Sequence, residues 1–152
     1  AAGFATLGFF NRIFDPESAP NVTRVGLSDN ALGTRSLNVI PNLLVNAPKL
    51  CHLSLHNCGM SLEVAAQLSA RLGGEVAGRL QSLFVGRNSM GPKGAASFGC
   101  LLASCCSLRR LSYAGSRAGP EGTRALLDGL VTMAASCPDG LTGLVELDFD
   151  DC

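Results

Sequence analysis

Residues 50–60 read LCHLSLHNCGM, and the spacing of their apolar side chains decides the fold. Leu50, Leu53 and Leu55, then Cys58 and Met60, follow the pattern LxxLxLxxN with an apolar residue two places further on, Cys58 standing in the asparagine position. Alternation at Leu53 and Leu55 marks a short strand with one buried face, and Asn57 lies at the rim where strand becomes loop. The pattern recurs four more times. It reads Val22, Val25, Leu27, Asn30, Leu32; Leu80, Leu83, Val85, Asn88, Met90; Leu108, Leu111, Tyr113, Ser116, Ala118; and Leu144, Leu147, Phe149, Cys152.

The copies start near residues 22, 50, 80, 108 and 144, spacings of 28, 30, 28 and 36, long enough for a helix after each strand. The expected architecture is α/β, a leucine-rich-repeat solenoid arc of about five repeats with parallel strands on a concave face and helices on the convex face. Leu62, Ala65, Leu68 and Leu72 share one helical face, as do Ala95, Phe98 and Leu102. Gly91-Pro92-Lys93-Gly94 and Gly119-Pro120-Glu121-Gly122 hold equal places in successive units, with proline suited to a first helical turn, where its missing N–H goes unmissed. Pro41 is expected to begin its helix, which should then be short, because a mid-helix proline costs about 3 kcal/mol. The long last step predicts a longer helix and an outer loop around residues 136–143. Residues 1–152 are expected to form one domain, with 1–21 the remnant of a preceding repeat or cap. Within that remnant Leu7, Phe9, Phe10, Ile13 and Phe14 look helical, ending at Asp15-Pro16.

Composition narrows the function classes. Twelve basic residues balance twelve acidic ones, so no overall field draws the chain to nucleic acid or an anionic membrane. The apolar opening AAGFATLGFF is about half the roughly 20 residues a membrane span needs. Eighteen glycines, no tryptophan and 5% aromatic residues suit many short, tightly turning units better than an enzyme with a large core. Seven cysteines with no CxxC pair favour reduced thiols and an intracellular, cytoplasmic setting, with Cys105 and Cys106 packing at a turn. No GxSxG, P-loop or HExxH motif is present, so no catalytic chemistry and no cofactor are expected.

Strand periodicity lists the concave surface: Arg24, Gly26, Ser28; His52, Ser54, His56; Ser82, Phe84, Gly86; Arg110, Ser112, Ala114; Glu146, Asp148, Asp150. His52 and His56, four apart on a strand, lie about 13 Å apart, too far to share a metal ion, and no metal site is expected. Phe84 has no core role there and is an anchor candidate. Glu146, Asp148 and Asp150 make an acidic end able to meet a basic partner. Asn30, Cys58, Asn88, Ser116 and Cys152 should bond the turn's own backbone. The residues just before them, Asp29, Asn57, Arg87, Gly115 and Asp151, are free of that duty, and Asp29, His56, Asn57 and Arg87 join the candidates for partner contact.

The segments Leu27-Ser28-Asp29-Asn30-Ala31-Leu32-Gly33, Leu55-His56-Asn57-Cys58-Gly59-Met60 and Val85-Gly86-Arg87-Asn88 resemble consecutive repeats of the Ran GTPase-activating proteins over roughly residues 22–130. The resemblance implies docking on a GTP-bound Ran-type small GTPase, with Asn57 positioning the GTPase's own glutamine and attacking water, and Arg87 as a rim contact. Hydrolysis by such GTPases is limited mainly by positioning and charge stabilisation, which a fixed amide can assist. The family's upstream repeat with its functional arginine has no clear match here. The second expectation is a non-catalytic scaffold subunit of a larger assembly, cytoskeletal or ciliary, using the same concave face.

Overall fold

A computed structural model describes residues 21–73, 75–137 and 143–152. The remnant proposed for the first residues, and most of the outer loop expected after Ser136, lie outside them. Five three-residue strands, β1 (Arg24–Gly26), β2 (His52–Ser54), β3 (Ser82–Phe84), β4 (Arg110–Ser112) and β5 (Glu146–Asp148), form one parallel sheet in chain order. Corresponding repeat positions stand side by side: Val25, Leu53, Leu83, Leu111 and Leu147 form one row across all five strands. Pairing continues past the strand ends through Leu27 N–H to Ser54 O, Leu55 N–H to Phe84 O, Val85 N–H to Ser112 O and Tyr113 N–H to Asp148 O, all at 2.7–2.9 Å. The repeat pattern read from the sequence is thus the register of the sheet.

Helices α1 (Ser36–Asn46), α2 (Leu62–Arg71), α3 (Glu75–Arg79), α4 (Gly91–Leu102) and α5 (Gly119–Ser136) follow the strands, α1 being entered through a 3-10 turn at Gly33–Arg35. Their apolar stripes close over the inward strand residues, so Leu53, Leu83, Leu111, Leu68, Phe98 and Leu126 share one buried core. Gly91-Pro92 and Gly119-Pro120 open α4 and α5 as expected. The last helix, with 18 residues against 12 in α4, takes up much of the long final step.

Helix α1 departs from the sequence expectation: it starts at Ser36 and carries Pro41 inside it rather than at its start. Val39, Ile40, Leu43 and Leu44 are all buried along it. Each such burial stabilises by about 1.5–3 kcal/mol, so together they outweigh a proline penalty of about 3 kcal/mol.

Between α4 and α5 the backbones meet almost directly. A Cβ on Gly129 would strike the carbonyl of Gly99, and one on Gly99 would strike that of Ala125, so glycine at both positions permits the close approach. Beneath them Tyr113 takes the place held by Leu27, Leu55 and Val85 in the earlier units, fully buried, edge-on to Phe98 at 5.7 Å between ring centres.

The cysteines are not all reduced thiols. Cys106 and Cys137, with Cα atoms 5.3 Å apart, form a disulfide that ties the approach to β4 to the end of α5. Cys51, Cys58, Cys100, Cys105 and Cys152 remain free. Of the adjacent pair expected to pack at a turn, only Cys105 packs in the core as a free thiol, which burial pushes up to about 12, while Cys106 is in the bridge.

Candidate functional site

The sheet turns one face to the helices and the other to solvent, and the solvent face carries the side chains that strand alternation assigned to it. Three rows cross it. Arg24, His52, Ser82, Arg110 and Glu146 form the first, Gly26, Ser54, Phe84, Ser112 and Asp148 the second. Ser28, His56, Gly86, Ala114 and Asp150 continue the same strands as the third.

Most polar groups on this face are already bonded sideways. Ser28 and Ser54 share a hydrogen bond between hydroxyls at 2.7 Å, the Ser28 hydroxyl also accepts the His56 N–H, and Ser112 donates to an Asp148 carboxylate oxygen at 2.8 Å. His52 pairs through Nδ1 with the Ser82 hydroxyl at 2.9 Å. Burial, and then the positive charges of Arg24 and Arg110, hold its imidazole below the ordinary value of 6.5. Arg110 stands 3.7 Å from Glu146, with both side chains about half exposed, a weak surface pair.

Phe84 sits on the central strand, half-buried, between Ser54 and Ser112, whose hydroxyls point to other partners. The His56 ring lies over Gly86, where a Cβ would come within 3.0 Å of its Nδ1. An aromatic ring and an imidazole thus lie on the middle of the face. The His52 ring engages Ser82 at the start of β3 and the His56 ring lies over Gly86 beyond its end, and the described residues hold no group of three metal-ligating side chains.

At the rim, Asp29, Asn57, Arg87 and Asp151 all adopt positive φ between 51° and 61°, and Gly115 in the fourth unit has φ 67°. The left-handed turn after each strand requires this, and asparagine and aspartate tolerate it better than arginine does. Asn57 is not a free side chain: its Nδ2 donates to an Asp29 carboxylate oxygen at 2.9 Å. Arg87 is exposed and lies against Gly115, where a Cβ would meet its Cγ at 3.2 Å.

One position inward, the ladder is structural in four of its five units. Asn88 accepts the N–H groups of Cys58 and Met60 and donates to the carbonyls of Leu55, Val85 and Gly86. Asn30 donates to Leu27 and Ser28, Cys58 to Leu27, and Cys152 to Tyr113. Ser116 differs from expectation: its buried hydroxyl has no partner. A serine side chain is too short to reach the carbonyls that an asparagine amide reaches.

The structure gathers Phe84, His56, Glu146, Asp148 and Asp150 on the strand face, and sets Asp29, Asn57 and Arg87 along its rim. The sequence reading left Arg110 out of the site. Its equivalence to Glu146 in the next repeat, with opposite charge, was the available signal. On the helix side two shallow grooves of about 370 and 360 Å³ share Cys100 and are lined mainly by small residues. Among the described residues, no helix is long and apolar enough to cross a membrane.

No family model matches the chain. Its structure is similar to a solved tropomodulin C-terminal domain from Caenorhabditis elegans, with a TM-score of 0.64 over 93% of this chain and 81% of that one, at 18% sequence identity. The shared fold is of the leucine-rich-repeat type, α/β with a parallel sheet. The likeness does not show membership of the Ran GTPase-activating family.

Proposed function

We propose that this chain is a non-catalytic repeat scaffold that binds another protein across its strand face and bridges it into a larger assembly of the cytoskeletal kind. Phe84 carries the reading: a half-buried aromatic ring stands on the middle of the five described strands, and its polar neighbours are already bonded elsewhere. Aromatic anchors ringed by satisfied contacts are the usual centres of protein interfaces. The likeness to a tropomodulin domain supports a scaffold over a GTPase activator. So does Asn57, one of whose two amide N–H groups is already taken by Asp29.

The test is to place a photo-crosslinking side chain at position 84, and separately at the exposed helix residue Val131, in extract from the source cells. A discrete protein adduct from position 84 that position 131 does not give, undiminished by Asn57→Ala, is the expected result. In parallel, the folded chain should leave single-turnover GTP hydrolysis on Ran unchanged. Acceleration abolished by Asn57→Ala would replace the scaffold reading with the activator one.

A further inference from the structure

Charge on the strand face is divided unevenly. β5 and its turn carry Glu146, Asp148, Asp150 and Asp151 within six residues, and the described residues place one cation against them, Arg110 beside Glu146 at 3.7 Å. On the first four strands and their rim stand Arg24, Arg87 and Arg110 against the single carboxylate of Asp29, which already accepts from Asn57. Phe84 lies in the same row as Asp148, two strands away, with Ser112 between them. At the usual strand spacing that separation is about 10 Å.

Building on the scaffold reading, we infer that the strand face takes a protein segment with an apolar side chain seated on Phe84 and His56 and a pair of basic side chains about 10 Å further on, over Asp148 and Asp150. Charge complementarity fixes the direction of the segment. A basic residue placed back over β3 or β4 meets Arg87 or Arg110, so a uniformly basic segment is disfavoured, and one with its charge at a single end is selected. The four carboxylates oppose a polyanion along the same path, which separates this surface from a nucleic-acid groove. No hydroxyl beside Phe84 has to be freed for docking, since Ser54 and Ser112 keep their sideways bonds.

The probe is a ten-residue peptide with one leucine and two arginines, three and five residues beyond it, read by fluorescence anisotropy against the whole chain. Two comparison probes carry glutamates in place of the arginines, or are ten-nucleotide single-stranded DNA. The arginine peptide should bind at least tenfold more tightly than either, and should weaken severalfold between 50 and 300 mM salt, since the screening length falls below the reach of the charges. Asp148→Asn with Asp150→Asn should weaken it at least tenfold. The amide oxygen can still accept from Ser112 and only the exposed bond from the Asp150 N–H is lost, so this pair should remain folded by circular dichroism. Phe84→Ser should weaken all peptide binding. Equal binding of the two peptides, tighter binding of the glutamate peptide or the DNA, or no binding by any probe would overturn the assignment. A crosslink from position 84 obtained alongside such a result would leave the scaffold reading intact, and only the charge of its partner would change.

Discussion

The guanidinium of Arg71, near the end of α2, donates through Nη1 to the main-chain carbonyl of Leu37 at 2.6 Å. Leu37 lies four residues before Pro41, so its carbonyl is the one that proline, lacking an N–H, leaves unpaired within α1. A side chain from the next repeat stands in for the missing donor.

This predicts a coupling between the two positions. Arg71→Met should cost about 1 kcal/mol in the native sequence, the worth of one hydrogen bond with a charged donor near solvent. Pro41→Ala restores the helix donor and should raise stability by about 1–2 kcal/mol, less than the full proline penalty because Arg71 already offsets part of it. Urea denaturation of the two single variants and the double variant reads the coupling. Additivity would show that Arg71 does not serve the carbonyl Pro41 exposes.

Asn88 and Ser116 hold equivalent ladder positions with opposite consequences. Asn88→Ala strands several buried backbone groups at once and should cost about 3 kcal/mol or more. Ser116→Ala removes a buried hydroxyl that has no partner and should change stability by less than about 0.5 kcal/mol, or raise it. Equal losses in the two variants, measured by thermal denaturation, would contradict the ladder's bonding pattern.

The Cys106–Cys137 bridge spans 31 residues that include β4 and all of α5. Closing a loop of that length removes enough chain entropy from the unfolded state to stabilise by roughly 3–4 kcal/mol. Reductant should lower the urea midpoint accordingly, Cys106→Ser should reproduce the loss, and that variant should no longer respond to reductant. A midpoint insensitive to reductant would mean that the bridge contributes nothing.

His52 makes stability depend on pH at the acid side of neutrality. Its folded value lies below the ordinary 6.5, first through burial and then through Arg24 and Arg110. Between those two values the unfolded chain binds more protons, so stability rises with pH across that window. It should be level above the window, decline as pH falls through 6.5, and level off again once both states are protonated. Comparing urea midpoints at pH 5 and 8 for the native chain and His52→Gln should show a smaller decline in the variant. An identical decline would assign the dependence to other groups.

The strands and their register were readable because each unit repeats its inward leucines, and a parallel sheet in chain order converts sequence spacing directly into neighbours, as with Leu53 and Leu83. The list of face residues followed from the same alternation. What stayed hidden depends on partners set apart in sequence without a repeating signal. Arg71 lies 34 residues from Leu37, Cys106 lies 31 from Cys137, and neither pairing leaves a local mark. Asn57 looked free because its turn position has no fixed duty. Its attachment to Asp29 depends on the chance presence of a carboxylate at the same place one unit earlier. The Ran resemblance rested on three short segments within roughly residues 22–130, whereas the structural likeness extends over 93% of the chain.

Each strand pairs only with the strands of the units next to it, and β3 has two described strands on either side. Fraying that starts at either outer strand must break two sets of main-chain bonds before it reaches the middle. Among the five described strands Phe84 therefore rides on the one that opens last, and a partner anchored there would find its foothold intact even while β1 or β5 breathes.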